Sequence, residues 1–444
     1  MKRATQLEIT YPMSVYFFCS SVYWPTEAKR LDLFLRVADA MGIEGDSQWK
    51  LTFIDDEETA IVEADRSGDA PCVFVALSGG VQSWMQMVGA DRTHLGLFNA
   101  YLPEALPGDV AHLLMHANAH PASTDFFASC RMAGKSIEWF DSLAQLRQYA
   151  VAWQGTCRLK NARFLKIGET EPWVINSCRS PETIAERIGC EIVPIERADL
   201  YTIYETISDA EALEVADQWL QRNGGLEGIV DEDVIKASRV TAAMYKALEN
   251  HDADGLSMAC FAMITDIDTT SCLALSALND SASFIGACEG DLDSALTLFL
   301  LKAMGADFVW IANPIIHSDN TLDLVHCTAP TCACGSQLSF RLMRHHESGR
   351  GVSPEVVLPG GVSASAVRLS VNAGEIVCHV GLTERKSKLP ACHTQIRLHV
   401  ESSQVVLETL LCTHFVLSYG DFEKPLSYAS KFLGLKSVST CLSN

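Results

Sequence analysis

Along the first third of the chain, apolar residues fall in blocks rather than alternating one by one. Met13–Ser20, Trp49–Ile54, Pro71–Ser78 and Gly96–Phe98 are short apolar runs, the pattern of strands buried on both faces. Between them, Thr26–Met41 and Glu57–Asp65 carry apolar residues at helical spacing. This alternation predicts a parallel, doubly wound α/β domain over residues 1–160. The pattern repeats over residues 161–330. Arg163–Ile167, Cys190–Pro194 and Leu256–Ile264 read as strands, and Ser180–Gly189, Asp209–Asn223 and Asp231–Asn250 as helices, with Ser180 as an N-cap. It closes with Phe284–Cys288, a helix from Leu292 to Gly305, and Phe308–Ala312, which reads as a strand–helix–strand unit of one parallel sheet. After about Pro330 long helices vanish. Short runs such as SAVRLSV, EIVCHVG and QIRLHV alternate with Gly and Pro up to a last helix at Glu423–Leu433. The expected fold class is therefore α/β: two doubly wound parallel domains followed by an antiparallel β-barrel-like domain over residues 331–444.

Composition narrows what such a chain can do. Its 444 residues carry 55 acids against 34 bases, a net charge of −21, with no basic stripe to follow a nucleic acid. An acidic surface suits divalent cations better than an anionic polymer. No apolar run reaches the roughly 18 residues that a membrane span requires, and the basic start, MKRATQ, is followed by polar residues rather than by a cleavable signal. The cytoplasm is the expected compartment, with no nucleic-acid or membrane partner. The 16 cysteines are scattered, and many lie in apolar runs where a free thiol behaves as a small hydrophobe. The densest group, Cys327, Cys332 and Cys334, lacks a paired CxxC at zinc-finger spacing.

Candidate chemistry follows from position. Open parallel sheets bind ligands beyond the carboxyl ends of their strands, and the strand–helix–strand reading puts Glu289 and Asn313 there. Asp291 or Asp293 also serves as a cap for the following helix, and Glu289 as a favourable charge at its start. Ser78-Gly79-Gly80 reads as a plain strand–helix turn more readily than as a phosphate cradle. His112, His116 and His120 would share one face of a single helix, as exposed polar residues more readily than as metal ligands. Asp266, Asp268 and Thr269 follow a strand end and either border the same crevice or cap the next helix.

A set of motifs in consistent order sharpens this picture. Cys288-Glu289-Gly290-Asp291 before an apolar helix resembles the core signature of the L-fucose isomerase and L-arabinose isomerase superfamily. Val325-His326-Cys327-Thr328, His346-Glu347-Ser348-Gly349 with Gly351-Val352, Gly374-Glu375-Ile376-Val377, Cys392-His393-Thr394-Gln395, and His414 with Tyr419-Gly420-Asp421 are similar to further segments of that family. The likeness spans residues 255–435. There are departures: Asn313 stands where the family has Asp, His393 where Arg is usual, and Thr413 and Phe415 flank His414 where Asn and a second His are usual.

The resemblance implies a metal-dependent aldose–ketose isomerase acting on an open-chain sugar, with a Glu, Asp and His set of metal ligands. Carried over residue by residue, these are Glu289 as ligand and proton-transfer group, His414 as ligand, and Asn313 in place of the Asp. His346, Glu347, Ser348, Thr394 and Asp291 become candidate substrate contacts. Oxygen ligands with one imidazole point to Mn²⁺, with Mg²⁺ as second choice. The resemblance also implies a homo-oligomer, such as a hexamer.

The chemistry is coherent. A proton must move between C1 and C2, and a divalent cation on both sugar oxygens acidifies the C–H bond and stabilises the enediolate, while carboxylates carry the proton. Asn313 supplies neither charge nor base, so proton transfer falls to Glu289 alone or to a substitute such as His317 or Asp319. The alternatives are another enediolate reaction, aldolase or epimerase, and a catalytically silent sugar-binding or regulatory protein.

Overall fold

A computed structural model describes residues 5–65, 70–101, 105–385 and 388–439. They gather into two compact units, Thr10–Gln154 and a second formed by Gly155–Asn444 together with Met1–Ile9.

The first unit carries a five-stranded sheet in the order Trp49–Ile54, Met13–Phe18, Cys72–Ala76, Leu95–Phe98, Ile137–Phe140, with every pairing parallel. Its central strands are buried along nearly their whole length, which is why they read as unbroken apolar runs. Helices connect them, and each start is fixed locally. Asp56, for example, accepts from Thr59 N at 2.7 Å to cap Glu57–Ala64. The Ser78-Gly79-Gly80 turn is occupied by the fold itself: Ser78 Oγ accepts from Ser20 N at 2.8 Å and Gly79 N donates to Ala117 O at 2.7 Å. The three histidines do not share a helix. Gly108–His116 ends, Asn118 takes a left-handed φ of 57°, and Ala119–Met132 begins anew.

The second unit contains a parallel sheet in the order Ile285–Cys288, Gly255–Met258, Arg163–Ile167, Glu191–Ile195. The run expected as one strand from Leu256 to Ile264 is shorter. The strand stops at Met258 and a short helix, Phe261–Asp266, comes next. The unit also contains a closed antiparallel barrel. Around it run Ser363–Ser370, Phe415–Tyr419, Trp310–His317, Thr321–His326, Thr394–Val400 and Glu375–Glu384, and the last of these pairs back onto the first. Lys436–Ser439 adds a parallel edge. The α/β class with a C-terminal barrel is thus the fold of this chain.

One expectation needs correction. Trp310–His317 is not the next strand of the parallel sheet. It enters the barrel, antiparallel to both Phe415–Tyr419 and Thr321–His326. A short apolar run between turns says that a strand is buried, not which sheet it joins. The decision falls to the turn after it, a tight return through Asn320 at φ 62° that makes a hairpin with Thr321–His326. The helix between the two sheets, Leu292–Ala303, is buried on every side but one residue. It packs on Ile285–Cys288 and Gly255–Met258 and also on the barrel strands Ser363–Ser370 and Phe415–Tyr419. Apolar residues all round a helix are what burial between two layers requires.

Candidate functional site

The site lies where the parallel sheet ends against the barrel. Glu289 follows the last residue of Ile285–Cys288 and takes a left-handed φ of 61°. That conformation costs a non-glycine residue about 1–2 kcal/mol, and the surroundings hold it. Glu171 N donates to Glu289 O at 3.0 Å, Gly290 N to Met258 O at 3.0 Å, and Thr170 Oγ1 to Gly290 O at 2.9 Å. Gly290 is required for this clamp: its φ is +66° and a Cβ would lie 2.7 Å from Thr170 Cα.

The clamped turn aims the Glu289 carboxylate at two imidazoles from the barrel. Its Oε1 lies 3.8 Å from His326 Nε2 and 3.7 Å from His414 Nε2, while Trp173 Nε1 donates to Oε2 at 2.7 Å. His326 closes the strand Thr321–His326, and His414 immediately precedes Phe415–Tyr419. One ligand atom from each of Glu289, His326 and His414 fits within a span of 4.8 Å, and all three residues are buried.

Asp291 organises the cluster from below. It caps Leu292–Ala303 by accepting from Ser294 N at 3.0 Å. It also accepts from Ser177 Oγ, from Ser294 Oγ and from both terminal nitrogens of Arg368. His414 Nδ1 donates to Asp291 Oδ2 at 2.9 Å, which turns Nε2 toward Glu289. That Nε2 is buried and has no hydrogen-bond partner, the state expected of an imidazole set out to meet a ligand.

Charge follows the same layout. Burial alone would push the Glu289 carboxyl up, yet His326 and His414 hold it well below the usual carboxylate range. Burial opposes the charged form of Asp291 too, and Arg368 with His414 overcomes it. Burial would lower His414, but Asp291 and Glu289 lift it to about 9. Asp293, beside this network, is raised by burial to about 7, only partly offset by Arg368.

The cluster opens on a small cavity that continues into a wider, more open cleft. Glu289, Asn313, Phe261, Glu347 and Cys392 line both. Asn313 shares the cavity with Glu289. Its Nδ2 donates to Thr413 O and Oγ1 at 3.4 and 3.3 Å, leaving Oδ1 as its available acceptor. His346 lines the outer cleft, edge-on to His393.

Other expected contacts lie elsewhere. Asp291 is fully buried beneath the cavity. Thr394 is buried, donating to Pro354 O and accepting from Val356 N. Ser348 holds the imidazole of His345, Oγ to Nδ1 3.0 Å, behind the wall. His317 pairs with Asp323 at 2.6 Å and Asp319 with Thr321, so neither substitutes for Asn313 in the cavity. Asp266 meets Tyr201, and Asp268 meets Lys236 and Arg350. His326 was legible only as part of the Val325–Thr328 segment. Nothing in its local spacing marks it as a partner of Glu289. Its likeness to an isomerase segment was the one signal available.

No protein-family model matches this chain. It is similar to proteins named sulfoquinovose isomerase. That of Priestia aryabhattai is 20% identical over 290 residues, covering 61% of this chain and 63% of that protein. That of Alkalicoccus urumqiensis is 23% identical over 237 residues, covering 50% of this chain and 49% of that protein. The chain thus spans less than two thirds of the length of these curated relatives. These relatives are, by name, sugar isomerases. Among the described residues no helix is long and apolar enough to cross a membrane.

Proposed function

We propose that this chain is a metal-dependent aldose–ketose isomerase of the L-fucose/L-arabinose isomerase type, moving a proton between C1 and C2 of an open-chain sugar. One observation carries the reading: Glu289, His326 and His414 converge, buried, at the carboxyl end of a parallel sheet, where Glu289 and His326 line a cavity. The similarity to sulfoquinovose isomerases supports the same class and favours a monosaccharide substrate, with sulfonated aldoses among those to test.

The donor set fits a divalent cation. One carboxylate, two imidazoles and a buried Nε2 without a partner make a better cation site than a hydrogen-bond network. Two nitrogens shift the expected preference from Mg²⁺ toward Mn²⁺ or its transition-metal neighbours. When bound, such a cation polarises the sugar carbonyl and stabilises negative charge on the adjacent oxygens.

The chain's own residues do the rest. Asp291 fixes the His414 ring so that Nε2 faces Glu289. Trp173 fixes Glu289 through Oε2 and leaves Oε1 toward the histidines. Glu289, facing the two histidines through Oε1, is assigned the proton taken from C2. Glu347, the second carboxylate in the cavity wall, is assigned the return of a proton to C1. Asn313 Oδ1 and His346 are assigned to the sugar hydroxyls. The ketose forms when one proton leaves C2 to Glu289, one arrives at C1 from Glu347 and the O2 proton ends on O1; the two carboxyl groups regain their starting states by exchange with solvent, so no atom is gained or lost. Assembly into a homo-oligomer, a hexamer by resemblance, belongs to the same proposal and is checked by light scattering.

The test is exchange. Purified protein supplied with Mn²⁺ in deuterated buffer should place deuterium at C2 of at least one aldose in a panel of neutral and sulfonated sugars. It should also yield a ketose of unchanged carbon number. A shortened product would point to an aldolase, a C2 epimer to an epimerase. No exchange across the panel by the metal-loaded protein would sink the proposal.

A further inference from the structure

The cavity has a second wall that the isomerase chemistry does not use. Five cysteines line it: Cys260, Cys272, Cys288, Cys327 and Cys392. No disulfide joins them. Cys272 Sγ lies 3.4 Å from Cys327 Sγ. These two sulfurs and a ring nitrogen of His345 fall within 4.8 Å of one another, and all three residues are buried. Cys392 lines the same cavity beside them.

We propose that Cys272, Cys327 and His345, with Cys392 as the fourth donor, form a separate binding site for a thiophilic divalent cation of the zinc class. The geometry is close to what such a cation needs. With zinc–sulfur bonds of about 2.3 Å, two thiolates on a tetrahedral centre sit about 3.8 Å apart. The observed pair is within a few tenths of an ångström of that. Three sulfurs and one imidazole are a closed structural zinc donor set. They discriminate against Mn²⁺ and Mg²⁺, which prefer oxygen. Each thiol that ligates releases its proton to solvent, and the imidazole binds in its neutral form, so nothing else is consumed.

The supports behind the donors agree. Ser348 Oγ engages His345 Nδ1 at 3.0 Å, the outer hydrogen bond that metal-binding imidazoles generally carry, and the other ring nitrogen lies 3.7 Å from Glu347 Oε2, beyond hydrogen-bond distance. The four donors come from four segments. Cys272 opens the helix Cys272–Asp280, Cys327 follows Thr321–His326, His345 follows Phe340–Met343, and Cys392 precedes Thr394–Val400. A cation there ties the parallel-sheet side of the cavity to the barrel side. It also sits next to the first cluster, because Cys327 Sγ is 3.8 Å from His326 Nδ1.

Cobalt distinguishes the two clusters without turnover. Full-length protein, purified under reducing conditions and stripped with chelator, is titrated anaerobically with Co²⁺. The expected result is a thiolate-to-cobalt charge-transfer band that saturates at a single cation per chain, is displaced by Zn²⁺ and is retained in Glu289→Gln. Cys327→Ser should lose most of the band, and the half-buried Cys392→Ser should weaken Zn²⁺ binding about tenfold. Because Cys327→Ser alters a buried position, a second measurement uses the native protein. Zn²⁺ should slow alkylation of Cys272 and Cys327 by iodoacetamide, read peptide by peptide. Cobalt absorption without a thiolate band, a band unchanged in Cys327→Ser, or alkylation indifferent to Zn²⁺ would each overturn the site, whatever the isomerase assay shows.

Discussion

Two turns in this protein occupy the same topological place and do opposite things. Ser78-Gly79-Gly80 follows the parallel strand Cys72–Ala76, and Glu289-Gly290 follows the parallel strand Ile285–Cys288. Each contains a left-handed glycine, Gly80 at φ +79° and Gly290 at +66°. Each leads into a helix. At the first turn the polar groups are spent on the fold: Ser78 holds Ser20 N, and Gly79 N holds Ala117 O. At the second, a carboxylate is held in a strained backbone and faces two imidazoles from another sheet. A strand end in a parallel sheet is therefore only an opportunity. What makes it a site is the group delivered opposite it.

The largest expected effect tests that contrast directly. Glu289→Gln keeps the shape and removes the charge, and should lower kcat/KM by about 10²–10⁴-fold. Ser78→Ala should leave kcat/KM within about twofold while costing stability of about 1–3 kcal/mol for the orphaned Ser20 N–H. Kinetics and urea unfolding on both variants give the comparison. Equal kinetic losses would break it.

Asp291→Asn probes the support beneath the second turn. It leaves buried Arg368 short of its counter-charge and should destabilise by about 3–5 kcal/mol, measured by denaturant midpoint. A loss below about 1 kcal/mol would mean the Asp291–Arg368 pair does not anchor the cluster.

A pH measurement is next in size. His379, inside the barrel, is held by burial at about 4, below the ordinary imidazole value of 6.5. Between those values the unfolded chain binds the proton that the folded chain refuses. The His379 contribution is therefore fully present above about pH 6.5 and is lost as pH falls toward 4, worth about 3 kcal/mol over that window. His379→Phe, beside Phe415, should flatten this part of the stability–pH curve. Asp293 has the reverse sign. With its folded value raised to about 7, its effect lowers stability as pH rises from about 4 to about 7. The wild-type curve is the sum, and the His379→Phe difference isolates one part.

The smallest effects compare the two glycines. Gly290→Ala meets both a left-handed φ and a Thr170 Cα at 2.7 Å, where Gly80→Ala meets its φ and only the Ser20 hydroxyl at 3.2 Å. The expected costs are about 3 and about 1 kcal/mol. Thermal unfolding of the two variants ranks them, and a reversed order would mean that the Thr170 loop yields easily.

Much of this molecule was legible in its residues. Most strands of both parallel sheets were visible in apolar blocks, because a strand buried on both faces tolerates few polar residues; the half-buried edge strand Ile137–Phe140 was not. Glu289 and His414 were picked out by motifs, and the structure brings them to 3.7 Å. His326 was not picked out as their partner, and Asn313 was expected on a parallel strand that turned out to belong to the barrel. Cys327 was grouped with Cys332 and Cys334 by nearness in sequence. In space its neighbours are Cys272 and His345, with Cys392 on the wall of the same cavity. Three donors, one from the parallel sheet and two from the barrel, meet only after both layers close on Leu292–Ala303.

The sequence alone determined which segments are buried, where they turn and which residue types carry reactive atoms, since each of these is a local consequence of hydropathy and backbone sterics. Only the tertiary structure decided which sheet Trp310–His317 joined and which side chains share a cavity. Those outcomes depend on pairing between distant strands, and periodicity within one segment holds no information about its partner.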